Sequence, residues 1–155
     1  MAGAIDARLQ ELGIELPEAA APAANYVPYV VSGNQVFVAG QITIHNGEIQ
    51  YVGKLGRDYG AEEGEAAARL CALNIIAQVK AACGGDLDRV VRCVRLGGFV
   101  NSTADFTDQP EVINGASNLM VEVFGDKGKH SRAAVSAASL PRGVAVEVDA
   151  IFEIS

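Results

Sequence analysis

The sequence predicts an α+β fold in which a mixed β-sheet carries two main helices packed on one face. Three observations point there. Residues 61–83 and 109–124 place apolar side chains at steps of three and four, the helical period. The segments before, between and after them run as short apolar or alternating stretches bounded by Gly, Pro and Asn, as strands do. With 155 residues, half of them hydrophobic, the chain can also bury a core without disulfides or a metal. Residues 1–155 are read as one domain, with 1–21 as an N-terminal helix and connector and 22–155 as the core.

Each element has its own warrant. Residues 6–13 read as a short helix, with Ile5, Leu9 and Leu12 on one face and Gly13 as its stop. The Ala- and Pro-rich residues 17–28 read as a connector on the surface. Tyr29, Val30 and Val31 lead through Ser32-Gly33-Asn34 into a second strand, residues 35–44. Asn46-Gly47 then signals a tight hairpin, because both residues tolerate positive φ, and residues 48–52 are expected to return as a strand.

In the first long helix Ala68, Ala72, Ile75, Val79 and Ala82 form the apolar stripe. Glu62, Glu63 and Glu65 lie near its positive end, and Gly84-Gly85 ends it. Residues 87–100 form a strand of poor alternation, expected to be buried on both faces. The second helix starts near Pro110 and is closed by Gly125. Residues 133–140 and 144–154 are the last strands, joined by Pro141-Arg142-Gly143. The order is ββ(β)αβαββ. Gly97-Gly98 lacks the strand–loop–helix setting of a phosphate cradle and reads as close packing.

The formal charge of −7 argues against a nucleic-acid surface, which needs a basic groove. Cys71, Cys83 and Cys93 form no CxxC pair and read as small reduced core residues, which fits a cytoplasmic setting. No stretch reads as a membrane span or a secretion signal. The two histidines, His45 and His130, are far apart and accompanied by no Cys/His cluster, so no metal site is expected.

Two features carry chemistry. In the last strand Glu147, Asp149 and Glu153 alternate with Val146, Val148 and Ala150, so three carboxylates share one face. They are either the solvated side of an edge strand or part of a site. Arg132 opens a strand of Ala, Val and Ser. It is either one half of a structural ion pair or a fork for the carboxylate of a small ligand. His130, two residues before it, reads either as a solvated loop histidine or as a further substrate contact.

Arg132-Ala133-Ala134-Val135, then Leu140-Pro141, then residues 146–151 resemble the C-terminal signature of the RidA/YjgF family. Ala21-Pro22-Ala23-Ala24 with Pro28-Tyr29 resembles its early Pro-Tyr segment, residues 38–42 its Gly-Gln strand, and Asp105-Phe106 through Asn114 its acidic-aromatic loop and helix start. The resemblance covers residues 22–154. It implies a chorismate-mutase-like fold, a homotrimer with clefts between subunits, no cofactor, and hydrolysis of 2-imino acids or their enamine tautomers to 2-oxo acids and ammonia. On that pattern Arg132 grips the substrate carboxylate and Glu147 positions and activates water. Tyr29, Gly40 and Asn114 line the pocket, and the backbone at Ala134 helps to hold substrate or water.

Ala39, Ala134 and Thr43 depart from that pattern, standing where many members have Ser, Cys and Pro, and the N-terminal helix is extra. The departures leave open a non-catalytic trimer that binds small carboxylates as a sensor or chaperone. Endoribonuclease action, also attached to the family's name, is disfavoured by the acidic charge.

Overall fold

The computed structural model describes residues 3–21 and 24–155; Pro22 and Ala23, part of the connector and of one resembling stretch, lie outside the described residues. The elements are α1 (Ala4–Glu11), β1 (Tyr29–Ser32), β2 (Gln35–Ile42), β3 (Ile44–His45), β4 (Glu48–Ile49), α2 (Ala61–Ala82), β5 (Val90–Asn101), α3 (Gln109–Phe124), β6 (Ser131–Ala137) and β7 (Val146–Ile154). Five strands form one sheet in the order β1-β2-β7-β5-β6. β5 and β6 are parallel and every other pair is antiparallel. The sheet is therefore mixed, and the expected α+β architecture is present.

Both long helices lie on one face. α2 covers β1, β2 and β7, while α3 covers β5 and β6. The period-two alternation of β7 drives this. Val146, Val148, Ala150, Phe152 and Ile154 all turn toward the helices and are buried. Truncating Phe152, which has no exposed surface, to Ala costs about 3–5 kcal/mol in such a core. Where the helices pack together, a β-carbon on Gly115 would run into the backbone of Glu65, so this contact needs glycine. Cys71, Cys83 and Cys93 are free and buried. Burial pushes the Cys93 thiol up to about 12 and the Cys71 thiol up as well, so neither is poised as a thiolate.

Several expectations need correcting. β7 is the central strand, so its carboxylates are not the solvated side of an edge. The strand expected over residues 48–52 shrinks to β4, which pairs only with β3 in a separate two-stranded sheet. Tyr51 at φ 53° and Gly53 at φ 150° take the chain out of extended geometry. β6 begins at Ser131, two residues earlier than its apolar run suggests, because parallel pairing with β5 starts at Arg95↔Ser131. β5 is covered by the helices on one face only.

Buried polar side chains tie the irregular segments to the core. Asn74 donates to the carbonyls of Ile42 and Ile44 at 3.3 and 2.7 Å, anchoring the end of β2. Gln78 donates to the Ala20 carbonyl in the connector at 3.2 Å. At the N-terminus the Asp88 carboxylate accepts from the Ala4 and Ile5 amides at 3.0 and 2.9 Å, satisfying free donors of α1, while Leu9 buries its apolar side.

Candidate active site: two clusters on opposite faces of the sheet

Glu147 projects from β7 toward the face that the helices leave open. Its place there follows from the register: Val38 pairs with Ala150 and Gln41 with Val148, so Ala39 and Gly40 together oppose Asp149 in a β-bulge. The bulge turns the Gly40 backbone toward the Glu147 carboxylate, which fills the space that a β-carbon at position 40 would take. Asp149, on the same face, lies against Gly97 of β5 in the same manner.

Two glycines flanking β7 thus make room for two carboxylates. Partial burial, and secondarily the charge of Asp149, raises the Glu147 pKa above the ordinary carboxylate range. Burial raises that of Asp149 too, offset by Arg95 at 3.9 Å and by the Gly97 amide.

Arg132 lies on the other face. It pairs with Leu96, a core residue, and so turns toward the helices. Its Nη1 donates to Asn114 Oδ1 at 2.9 Å and to Ser117 Oγ at 3.1 Å, and Nη2 donates to the Pro110 carbonyl at 3.1 Å. Among the described residues no carboxylate lies within ion-pairing distance of it. Three of its five N–H groups are engaged, leaving Nε–H and one Nη2–H without a protein acceptor among the described residues. The structural ion pair that the sequence allowed is absent there.

Three of the other four expected residues divide between the clusters. Asn114 joins Arg132. Ala134, opposite Gly98, lies two residues along the same edge strand and on the same face. Gly40 joins Glu147. Tyr29 joins neither: it pairs with Val38, packs against the core and lines a recess with Pro28, Ala20 and Gln78.

Within one chain the Arg132 and Glu147 clusters do not meet. β5 separates their strands, and Phe99, the partner of Glu147, is three residues along from Leu96, the partner of Arg132. That places the two Cα atoms about 10 Å apart across the sheet and about 10 Å along it, with side chains on opposite faces.

Sequence reasoning missed Ser117 as a partner of Arg132, although it lies three residues after Asn114 on the same helical face. His130 is not a free loop histidine, since it is bonded to Ser117 and to the Gly128 carbonyl. His45 is exposed at the end of β3. Among the described residues no group of three His, Cys, Asp or Glu could hold a metal ion, and no helix is long and apolar enough to cross a membrane.

The chain is similar to known proteins over nearly all its length. A family model described as "YjgF/chorismate mutase-like, putative endoribonuclease" matches residues 6–152. Protein TCP17 of Trypanosoma cruzi is 53% identical over 154 residues, 99% of this chain and 96% of that one. The solved structure of Atu1372 from Agrobacterium tumefaciens, a protein of unknown function, is 51% identical with a TM-score of 0.90, covering 97% of this chain and 93% of its own. More distantly, E. coli TdcF, solved with bound serine, is 25% identical with a TM-score of 0.64, over 92% of this chain and 98% of its own.

Proposed function

Because the chain belongs to the RidA/YjgF family, within the YjgF/chorismate mutase-like group, we propose that it hydrolyses small 2-imino acids, or their enamine tautomers, to 2-oxo acids and ammonia. The reaction takes place in clefts between the copies of a homotrimer. The observation that carries the reading is the unpaired Arg132. A partly buried guanidinium that, among the described residues, has no carboxylate beside it, is held by three neutral acceptors and keeps two N–H groups free suits the carboxylate of a ligand. The serine in the E. coli TdcF structure is itself a small carboxylate.

The separation of the two clusters and the uncovered face of the sheet support self-association. That face carries Val30, Phe37 and Val135, all exposed, around Ile151 and Phe99. An apolar sheet face of this kind is expected to be covered. When copies pack by these faces, the β6–α3 edge of one is free to meet the β2–β7 region of its neighbour. Arg132, Asn114 and the Ala134 backbone then come from one copy, with Gly40 and Glu147 from the next.

In that cleft Arg132 holds the substrate carboxylate and sets the imine carbon over the neighbour's Glu147. Glu147 takes a proton from water as the water oxygen bonds to the imine carbon. The same carboxyl returns that proton to the imine nitrogen, giving a neutral carbinolamine. Its hydroxyl proton then passes through the Glu147 carboxylate to the nitrogen as the C–N bond breaks and the C=O bond forms, releasing ammonia and the 2-oxo acid. The imine carbon is already electrophilic, so orientation and a positioned base suffice. An assay in which an amino-acid oxidase generates the imine tests this. Wild type accelerates 2-oxo acid release, and Arg132→Ala or Glu147→Ala abolishes the gain in a folded protein. No acceleration by wild type across several 2-imino acids overturns the reading.

A further inference from the structure

Asn114 and Ser117 stand one turn apart on α3 and accept from the same Arg132 nitrogen, Nη1. Ser117 Oγ also lies 2.9 Å from His130 Nε2, and His130 Nδ1 lies 2.6 Å from the Gly128 carbonyl. With a neutral ring, one arrangement of hydrogens satisfies every contact. A carbonyl can only accept, so Nδ1 carries the ring hydrogen and Nε2 is the bare nitrogen. Nε2 therefore accepts the Ser117 hydroxyl hydrogen, and the Ser117 oxygen turns its lone pairs to Arg132. The imidazole selects the rotamer in which Ser117 is an acceptor.

We propose that His130, acting through Ser117, is a positioning residue that sets the rotation of the Arg132 guanidinium, so that its two free N–H groups face the cleft. The pair thereby determines affinity for the ligand carboxylate and leaves the chemical step alone. The proposal rests on the carboxylate-clamp reading of Arg132. It adds a tuning element two residues upstream of the arginine and three downstream of Asn114. An arginine on a flexible stem loses much of its entropy when forked onto a ligand, and a guanidinium already fixed by Asn114, Ser117 and Pro110 loses less.

A purely structural role is separable, because His130 also fastens the turn before β6 through Gly128. Ser117→Ala breaks the chain to Arg132 and leaves that turn intact; His130→Leu breaks both. The measurements are calorimetric titration with 2-oxobutanoate, steady-state turnover of 2-iminobutanoate, and NMR of the Arg132 side-chain N–H groups in the free protein. Ser117→Ala and His130→Leu are each expected to raise Kd and KM by about tenfold, as loss of one charge-assisted hydrogen bond implies. Their kcat stays near wild type, and Ser117→Thr, which keeps the hydroxyl, restores affinity.

In the NMR spectrum, rotation of the guanidinium is slow in wild type and fast in both broken variants. An effect of His130→Leu that Ser117→Ala does not share assigns His130 to the turn and overturns the relay. So does an Arg132 signal indifferent to Ser117→Ala. Failure of the deaminase reading shows differently, as absent turnover by wild type, and the guanidinium rotation still decides the relay.

Discussion

The Glu147 carboxylate occupies the volume that a β-carbon at Gly40 would require, so the identity of one residue on β2 fixes the position of an acid on β7. Gly97 and Asp149 repeat the relationship on the other flank of the strand. Neither glycine has a positive φ. Both are needed for space, which separates them from the turn glycines elsewhere in the chain.

Gly40→Ala should therefore fold, because the clashing group is the movable end of a side chain. Its new methyl displaces the Glu147 carboxylate. Turnover is expected to fall on the order of a hundredfold, as for loss of a positioned base, with the melting temperature close to wild type. A Gly40→Ala enzyme of undiminished turnover would show that the carboxylate's position over residue 40 is immaterial.

The pH profile depends on the same pair. Burial first, then Asp149, raises the Glu147 pKa, and a base must be ionised to act. The acidic limb of kcat/KM is thus expected at higher pH than an ordinary glutamate would give. Asp149→Asn removes the like charge but not the burial, so the limb moves part of the way toward lower pH. A limb that stays put or moves upward would assign it to another group.

At the N-terminus, Asp88 holds α1 by accepting the Ala4 and Ile5 amides. Those two hydrogen bonds depress its pKa below the ordinary range. A depressed carboxylate stabilises the fold fully above its unfolded pKa, and the contribution fades as pH falls through the folded value. The protection factors of the Ala4 and Ile5 amides, taken relative to the intrinsic exchange rate at each pH, should fall in Asp88→Ala, and in wild type as pH drops below the usual carboxylate range. Equal protection in variant and wild type would remove Asp88 from the account of α1.

Gly115→Ala is expected to be among the more costly single methyl additions in the chain. The β-carbon meets Glu65 backbone, which cannot turn aside as a side chain can. Overpacking of this kind costs about 1–3 kcal/mol, read as a lower denaturation midpoint in urea. An unchanged midpoint would mean that α2 and α3 shift apart freely.

Much of this was legible in the sequence, for local reasons. α3 runs over the residues read for it because Pro110 and Gly125 mark both ends. The two faces of β7 follow from its alternation. What was not legible depends on pairing between distant strands. Nothing local places β7 at the centre of the sheet, starts β6 at Ser131, or puts Arg132 and Glu147 on opposite faces. The bond from Ser117 to His130 likewise needs the turn at residues 125–130 to bring them together. Arg132, Asn114, Gly40 and Glu147 could be singled out one by one, but their division into two clusters is tertiary.

That division supplies the most direct test. Arg132→Ala and Glu147→Ala trimers, each inactive alone, are mixed one to one, unfolded and refolded together so that subunits exchange. If each cleft takes its arginine from one copy and its glutamate from the next, every mixed trimer regenerates one intact cleft. Activity then returns to about a quarter of wild type. A mixture that stays inactive, although mass spectrometry shows mixed trimers, would contradict a site shared between neighbouring copies.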